Sequence, residues 1–285
     1  MITLSKFSFA TLLVFISLTS SASAHQPRIP TVNPTIVEDP ATSKAYYSTL
    51  MGEPHTYIIT ATSTFPLYLN LLVPDIAGQK KDISAVVIKD GDTEHPVVVL
   101  DGNSFKWKPF FEPFGHDSYF MGPEYKAEVG PGIYEVKVWS SNNDSKYSLA
   151  VGEAENFDFK ETMNALTLVP QLKRDFFLES PIGFILSPFG AGIILVMFVL
   201  AFIFGFAYRA LMKAFTNTQT FGRSHNIGKG DRWTRAFLGL GLLLYAILTS
   251  WSPILLFISG FCFFEAIFSW CGFLAALGKS TCPVE

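Results

Sequence analysis

Residues 186–208 contain no charged side chain. As a helix such a run is about 34 Å long, enough to cross the hydrocarbon layer of a bilayer. Two more apolar runs follow at residues 236–250 and 253–273. Only Ser250-Trp251-Ser252-Pro253 separates them, which predicts a helical hairpin with Trp233 and Trp251 as interfacial aromatics. The sequence therefore predicts three spans. Composition agrees: 49% of the 285 residues are hydrophobic, 28 are phenylalanine, and only 16% are charged. Such a chain is not disordered, and its net charge of -3 argues against a nucleic-acid partner.

Charge sets the expected orientation. Arg209, Lys213, Arg223, Lys229, Arg232 and Arg235 face a single acid, Asp231, between the first and second runs. Short loops rich in Lys and Arg stay cytoplasmic, which puts residues 25–180 outside and the tail, residues 274–285, inside. The N-terminus agrees with this. Lys6, an apolar stretch over residues 7–18, and Ala22-Ser23-Ala24 before His25 read as a cleavable secretory signal, residues 1–24. Residues 25–180 hold 21 of the 24 acids and 13 of the 21 bases, so the exported part is near -8. The expectation is an integral protein of the plasma or inner membrane, with the bilayer as its first partner.

Within the exported part, residues 25–40 read as a linker and residues 41–153 as short β-rich runs between turns. Strands are predicted at residues 56–61, 67–73, 83–89, 97–100, 133–139 and 146–151, bounded by turns such as Asp90-Gly91-Asp92 and Gly130-Pro131-Gly132. In residues 133–139, Tyr134, Val136 and Val138 should face a core. The expected fold class is an all-β antiparallel sandwich of jelly-roll type, followed by an α-helical membrane region of three helices. Residues 154–182 read as a helical juxtamembrane neck, 183–208 as the first span, 209–232 as a basic cytoplasmic loop, and 233–273 as the hairpin.

Four places carry candidate chemistry. Residues 107–125, "WKPFFEPFGHDSYFMGPEY", combine aromatics with acids and read either as a ligand-binding loop or as a cover over one open end of the sandwich. Trp107, Phe111, Glu112, His116, Asp117 and Glu124 are its candidate binding residues. Cys271 and Cys282, eleven positions apart, are candidates for redox or sulfur chemistry, or inert structural thiols. Glu265 lies near the middle of the third run, where a carboxylate must be neutral, paired or interior-facing. It marks an ion path or a hydrogen bond to Ser259, Ser269, Thr249 or Ser250. Asp231, Arg232 and Arg235 form a candidate charge collar at the interface. The sequence contains no Gly-x-Ser-x-Gly elbow, His-Glu-x-x-His or phosphate loop, so no enzyme, cofactor or metal is expected.

Two resemblances add to this. Gly130-Pro131-Gly132-Ile133-Tyr134-Glu135-Val136-Lys137-Val138, followed by Ser145-Lys146-Tyr147-Ser148-Leu149-Ala150-Val151-Gly152, resembles the closing hairpin of pre-peptidase C-terminal jelly-roll domains. That resemblance implies an accessory or binding module. Asn226-Ile227-Gly228, Asp231-Arg232, Arg235 and Gly239, with Cys271, Gly278, Thr281 and Cys282 after the third run, resemble the YgaP-like inner-membrane transmembrane domain. Gly272 departs from that family's usual proline. The resemblance implies a membrane anchor able to self-associate through its hairpin. The sulfurtransferase domain fused to it in the family's best-known member has no counterpart here. The functional expectation is an exported, non-enzymatic binding module for an unknown envelope or extracellular ligand, anchored by the hairpin. A redox or sulfur relay through Cys271 and Cys282 is the alternative, and a transport subunit using Glu265 is a further one.

Overall fold

A computed structural model describes residues 25–215 and 225–282. The expected signal, residues 1–24, and Arg223 of the basic loop lie outside the described residues. The chain divides into two compact units, residues 1–162 and 163–285.

The first unit is two packed β-sheets. Strands β1 (Gln26–Arg28), β3 (Lys44–Thr49), β11 (Lys146–Val151), β5 (Phe65–Pro74), β9 (Asp117–Val129) and β8 (Lys108–Glu112) form one sheet in that order. Strands β2 (Thr35–Val37), β4 (His55–Ala61), β10 (Gly132–Trp139), β6 (Ser84–Lys89) and β7 (Val98–Leu100) form the other. Side chains alternate as the strand period requires. On β10, Tyr134, Val136 and Val138 are buried while Ile133 and Lys137 are exposed, as expected. Ile59, Leu67, Leu69, Val87, Leu149 and their neighbours complete a core shared by both sheets.

Two expectations need correction. The sheets are mixed rather than purely antiparallel, because β1 runs parallel to β3 and β2 parallel to β4. Both parallel strands come from residues 25–40, which do not behave as a linker: they close one edge of each sheet. The second correction concerns residues 107–125, which are no loop. They form the hairpin β8–β9, with Phe110 opposite Tyr119 and Glu112 opposite Asp117. β9 accommodates its internal Gly122-Pro123 at an irregularity in its pairing with β5 between Asn70 and Leu72. There the buried Asn70 amide donates to the carbonyls of Gly122 and Pro123, each at 3.4 Å.

Helix α1 (Phe159–Asp175) falls in the expected neck, and the division between the units lies within it. A 3-10 turn, Pro181–Leu186, follows. Ser187 then accepts the Gly190 N–H at 2.9 Å and Pro188 takes the first helical position, so α2 (Pro188–Phe215) starts later than the expected span and runs on into the basic segment. Helices α3 (Lys229–Thr249), α4 (Pro253–Phe268) and α5 (Gly272–Ala276) complete the second unit.

Among the described residues one helix, Pro188–Ala214, is by itself long and apolar enough to cross a membrane. The reason is local. The first two turns of α3 carry Lys229, Asp231, Arg232 and Arg235. α4 is cut to 16 residues because Ser269 adopts a left-handed conformation (φ 51°) and its N–H closes on the Glu265 carbonyl. Phenylalanines hold the helices together: Phe204 meets Phe257 and Phe261, and Phe206 meets Phe264 and Phe268, with ring centroids 4.7 to 5.7 Å apart. Trp251 is fully buried against Phe184, and its indole donates to the Pro181 carbonyl at 3.1 Å, pinning the α3–α4 turn to the 3-10 turn.

Candidate functional sites at the sandwich edge and the hairpin base

The hairpin β8–β9 gathers some of the expected binding residues and disperses others. Glu112, His116 and Asp117 meet at its tight turn. The Glu112 carboxylate accepts the N–H groups of Phe114 (2.6 Å) and Gly115 (2.7 Å), so it holds the turn closed. His116 takes a left-handed conformation (φ 60°) and packs perpendicular to Phe111, with centroids 5.0 Å apart. Asp117 is buried. Its charge and that of Glu112 add to burial in raising the Tyr47 hydroxyl pKa above its usual range, against the Tyr47–Tyr119 hydrogen bond of 2.9 Å.

Trp107 and Glu124 lie away from that turn. The Trp107 indole donates to the Gly102 carbonyl at 2.8 Å, and its ring lies over Gly122, where a Cβ would sit 2.5 Å from it. Trp107 is therefore a packing residue whose ring requires glycine at 122. Glu124 accepts from Tyr68 at 3.4 Å. Three phenylalanines on and just before β8 stay partly outside the core: Phe105, Phe110 and Phe111 are 36%, 38% and 50% exposed.

A polar cluster inside the sandwich had no signal in the sequence beyond scattered residues. Tyr57 and Tyr147 share a hydrogen bond of 2.8 Å, and His55 Nδ1 meets the Tyr147 hydroxyl at 2.9 Å and Ser48 Oγ at 3.2 Å. Burial raises the pKa of both tyrosines and lowers that of His55. All four groups are neutral at pH 7, and they join β3, β4 and β11 across the two sheets.

At the hairpin base the charge collar and Glu265 prove to be one cluster. Glu265, buried in the last turn of α4 rather than at mid-span, forms an ion pair with Arg235 and not with the expected hydroxyls. Arg235 Nε also lies 3.5 Å from Asp231 Oδ1, one turn earlier on α3. Arg232 donates to the Ala266 carbonyl at 2.8 Å. Ser259 instead donates to the Gly239 carbonyl, and Thr249 to that of Tyr245. A buried carboxylate is costly unless paired, and here the pairing comes from the helix beside it.

Cys271 is buried, with its thiol beside the Glu265 carboxylate. Its backbone is held by Asn226, which accepts the Cys271 N–H at 2.7 Å and donates to its carbonyl at 2.9 Å. Thr281 closes the same base: its hydroxyl accepts from the Gly228 N–H (3.0 Å) and donates to Asp231 (3.2 Å), and its own N–H bonds to the Asn226 carbonyl (3.0 Å). Cys282 is half-buried, and all three cysteines are free thiols. Gly272 is explained by the neighbouring helix, since a Cβ there would lie 1.9 Å from the Tyr208 ring. Asn226 and Thr281 were legible only as motif letters; their roles appear when the two ends of the motif meet. Among the described residues no three His, Cys, Asp or Glu side chains are placed to hold a metal.

The family described as the inner membrane protein YgaP-like transmembrane domain matches residues 223–285. No curated protein matches the chain. Among solved structures, the pre-peptidase C-terminal domain of collagenase from Bacillus anthracis is similar at 10% identity over 45% of this chain and 95% of that one, with a TM-score of 0.27. CorA, a surface-associated copper-binding protein of Methylomicrobium album BG8, is similar at 9% identity over 45% of this chain and all of that one, with a TM-score of 0.24.

Proposed function

We propose, from a YgaP-like transmembrane domain at residues 223–285, that this is a membrane-anchored protein whose β-sandwich is an extracytoplasmic, non-enzymatic binding module. In this reading α2, α3 and α4 make three spans, the sandwich lies outside and the C-terminus lies in the cytoplasm. α3 and α4 cross as a pair, with the charges at the start of α3 at the cytoplasmic headgroups. The α2–α3 connection keeps the basic excess that favours this orientation.

One observation carries the binding role. The polar side chains with chemical potential are engaged in holding the fold: Glu112 in a turn, His55 in a tyrosine network, Glu265 in an ion pair. The sandwich exposes an aromatic edge at Phe105, Phe110 and Phe111. Scattered exposed apolar residues are ordinary, but three phenylalanines within seven positions mark an interaction surface.

The test is complementation of a deletion strain in the native host, with protein level measured in every strain. The double variant F110S/F111S should accumulate normally and fail to complement, whereas C271S/C282S should complement. The opposite pattern would move function from the sandwich to the thiols.

A further inference from the structure

We infer that the β8 edge docks on the anionic headgroup surface of a bilayer; this rests on the binding-module reading and names its partner. Residues 102–111 hold Lys106 and Lys108 and no acid, in an exported part that is otherwise strongly acidic. Both lysines are exposed, and they alternate with the only exposed phenylalanines among described residues 25–158. Phenylalanine beside lysine is the pairing that suits the interface: rings enter the acyl boundary while ammonium groups reach the phosphates.

The geometry favours a fluid surface over a protein strand. β8 pairs only with β9, so its outer side is a sheet edge. Pro109, the second of its five residues, has no N–H to offer a partner strand, which blunts the edge against β-pairing. Phe110 and Phe111 are adjacent in the strand and point to opposite faces of the sheet. A flat partner strand would cover the edge but not both rings, whereas a headgroup layer can wrap the edge and receive both. Trp107, fixed by the Gly102 carbonyl and by Gly122, gives the segment a rigid base. Because the chain is anchored in a membrane, the lipid surface is present at high effective concentration, so modest affinity suffices.

The experiment is hydrogen exchange on the full chain in nanodiscs of phosphatidylcholine or of phosphatidylcholine with phosphatidylglycerol. Residues 103–113 should exchange about tenfold more slowly in the anionic discs, a difference that K106Q/K108Q or high salt removes. F110S/F111S should lose protection in both lipids, while β5 and β10 keep theirs and so report an intact fold. Equal exchange in the two lipids would overturn the inference. So would protection that grows with protein concentration regardless of lipid, since that assigns the edge to a second copy. The two readings fail separately. Lipid-dependent protection in a variant that still complements removes the edge's role in function, whereas a complementation defect without lipid-dependent protection leaves the module and removes the lipid.

Discussion

In the sandwich, polar groups meet as neutral hydroxyls and an imidazole: the buried Tyr57 and Tyr147 with the half-buried Ser48 and His55. At the hairpin base they are buried as charges, with Glu265 on Arg235 and Asp231 beside it. The two arrangements differ in what happens when one member is removed. A neutral network loses a hydrogen bond; an ionic one is left with a buried charge. The hairpin base should therefore be the more brittle of the two regions, although the sandwich has the larger core.

The largest effect should come from Arg235→Ala, which strands Glu265 at a cost of about 3–5 kcal/mol. Thermal unfolding in detergent would show it, and Arg235→Met with Glu265→Met together should recover most of the loss. Asn226→Ala comes next. It deprives both the N–H and the carbonyl of Cys271 of their partner, for about 2–3 kcal/mol. If it costs no more than a surface substitution, the two ends of the motif do not close the base. In the sandwich, Tyr147→Phe should cost about 1–2 kcal/mol, read by denaturant unfolding of the β4 and β11 amides.

The pH response separates the regions further. Burial lowers the pKa of His55 and of His25, so folding disfavours their charged forms. Their contribution to stability is present above the unfolded value of 6.5 and is lost as the pH falls through the lowered folded values. The sandwich should thus lose stability as the pH falls below 6.5, and His55→Gln should flatten that slope. Amide exchange above and below that pH checks both. The smallest effect on stability should be that of Phe110→Ser, on an exposed edge and within about 0.5 kcal/mol.

How far the sequence was readable follows the same divide. The strands β4, β5, β6, β7, β10 and β11 appear within two residues of their expected places because they are short β-branched and apolar runs between clear turns. β8 and β9 do not: Lys-Pro-Phe-Phe-Glu has no alternation, and β9 carries Gly122-Pro123 in its middle. β1 and β2 are three residues long and pair in parallel with strands distant in sequence, which no local pattern signals. In the membrane region the hydropathy of α2 was plain, but the break at Ser269 rests on a backbone conformation. Without it Glu265 looked like a mid-span carboxylate, and its partner, 30 residues away on α3, had been assigned to the interface. The collar residues were legible individually and their union with Glu265 was not.

The central claim is that the covered surface of this molecule is the β8 edge. The most direct test puts p-benzoylphenylalanine in place of Phe111 in growing cells, with Val99, equally exposed on β7 of the other sheet, as the control position. The account expects a photo-adduct at position 111, lipid-linked by mass, and none at position 99. No adduct at position 111, or equal adducts at both positions, would contradict it.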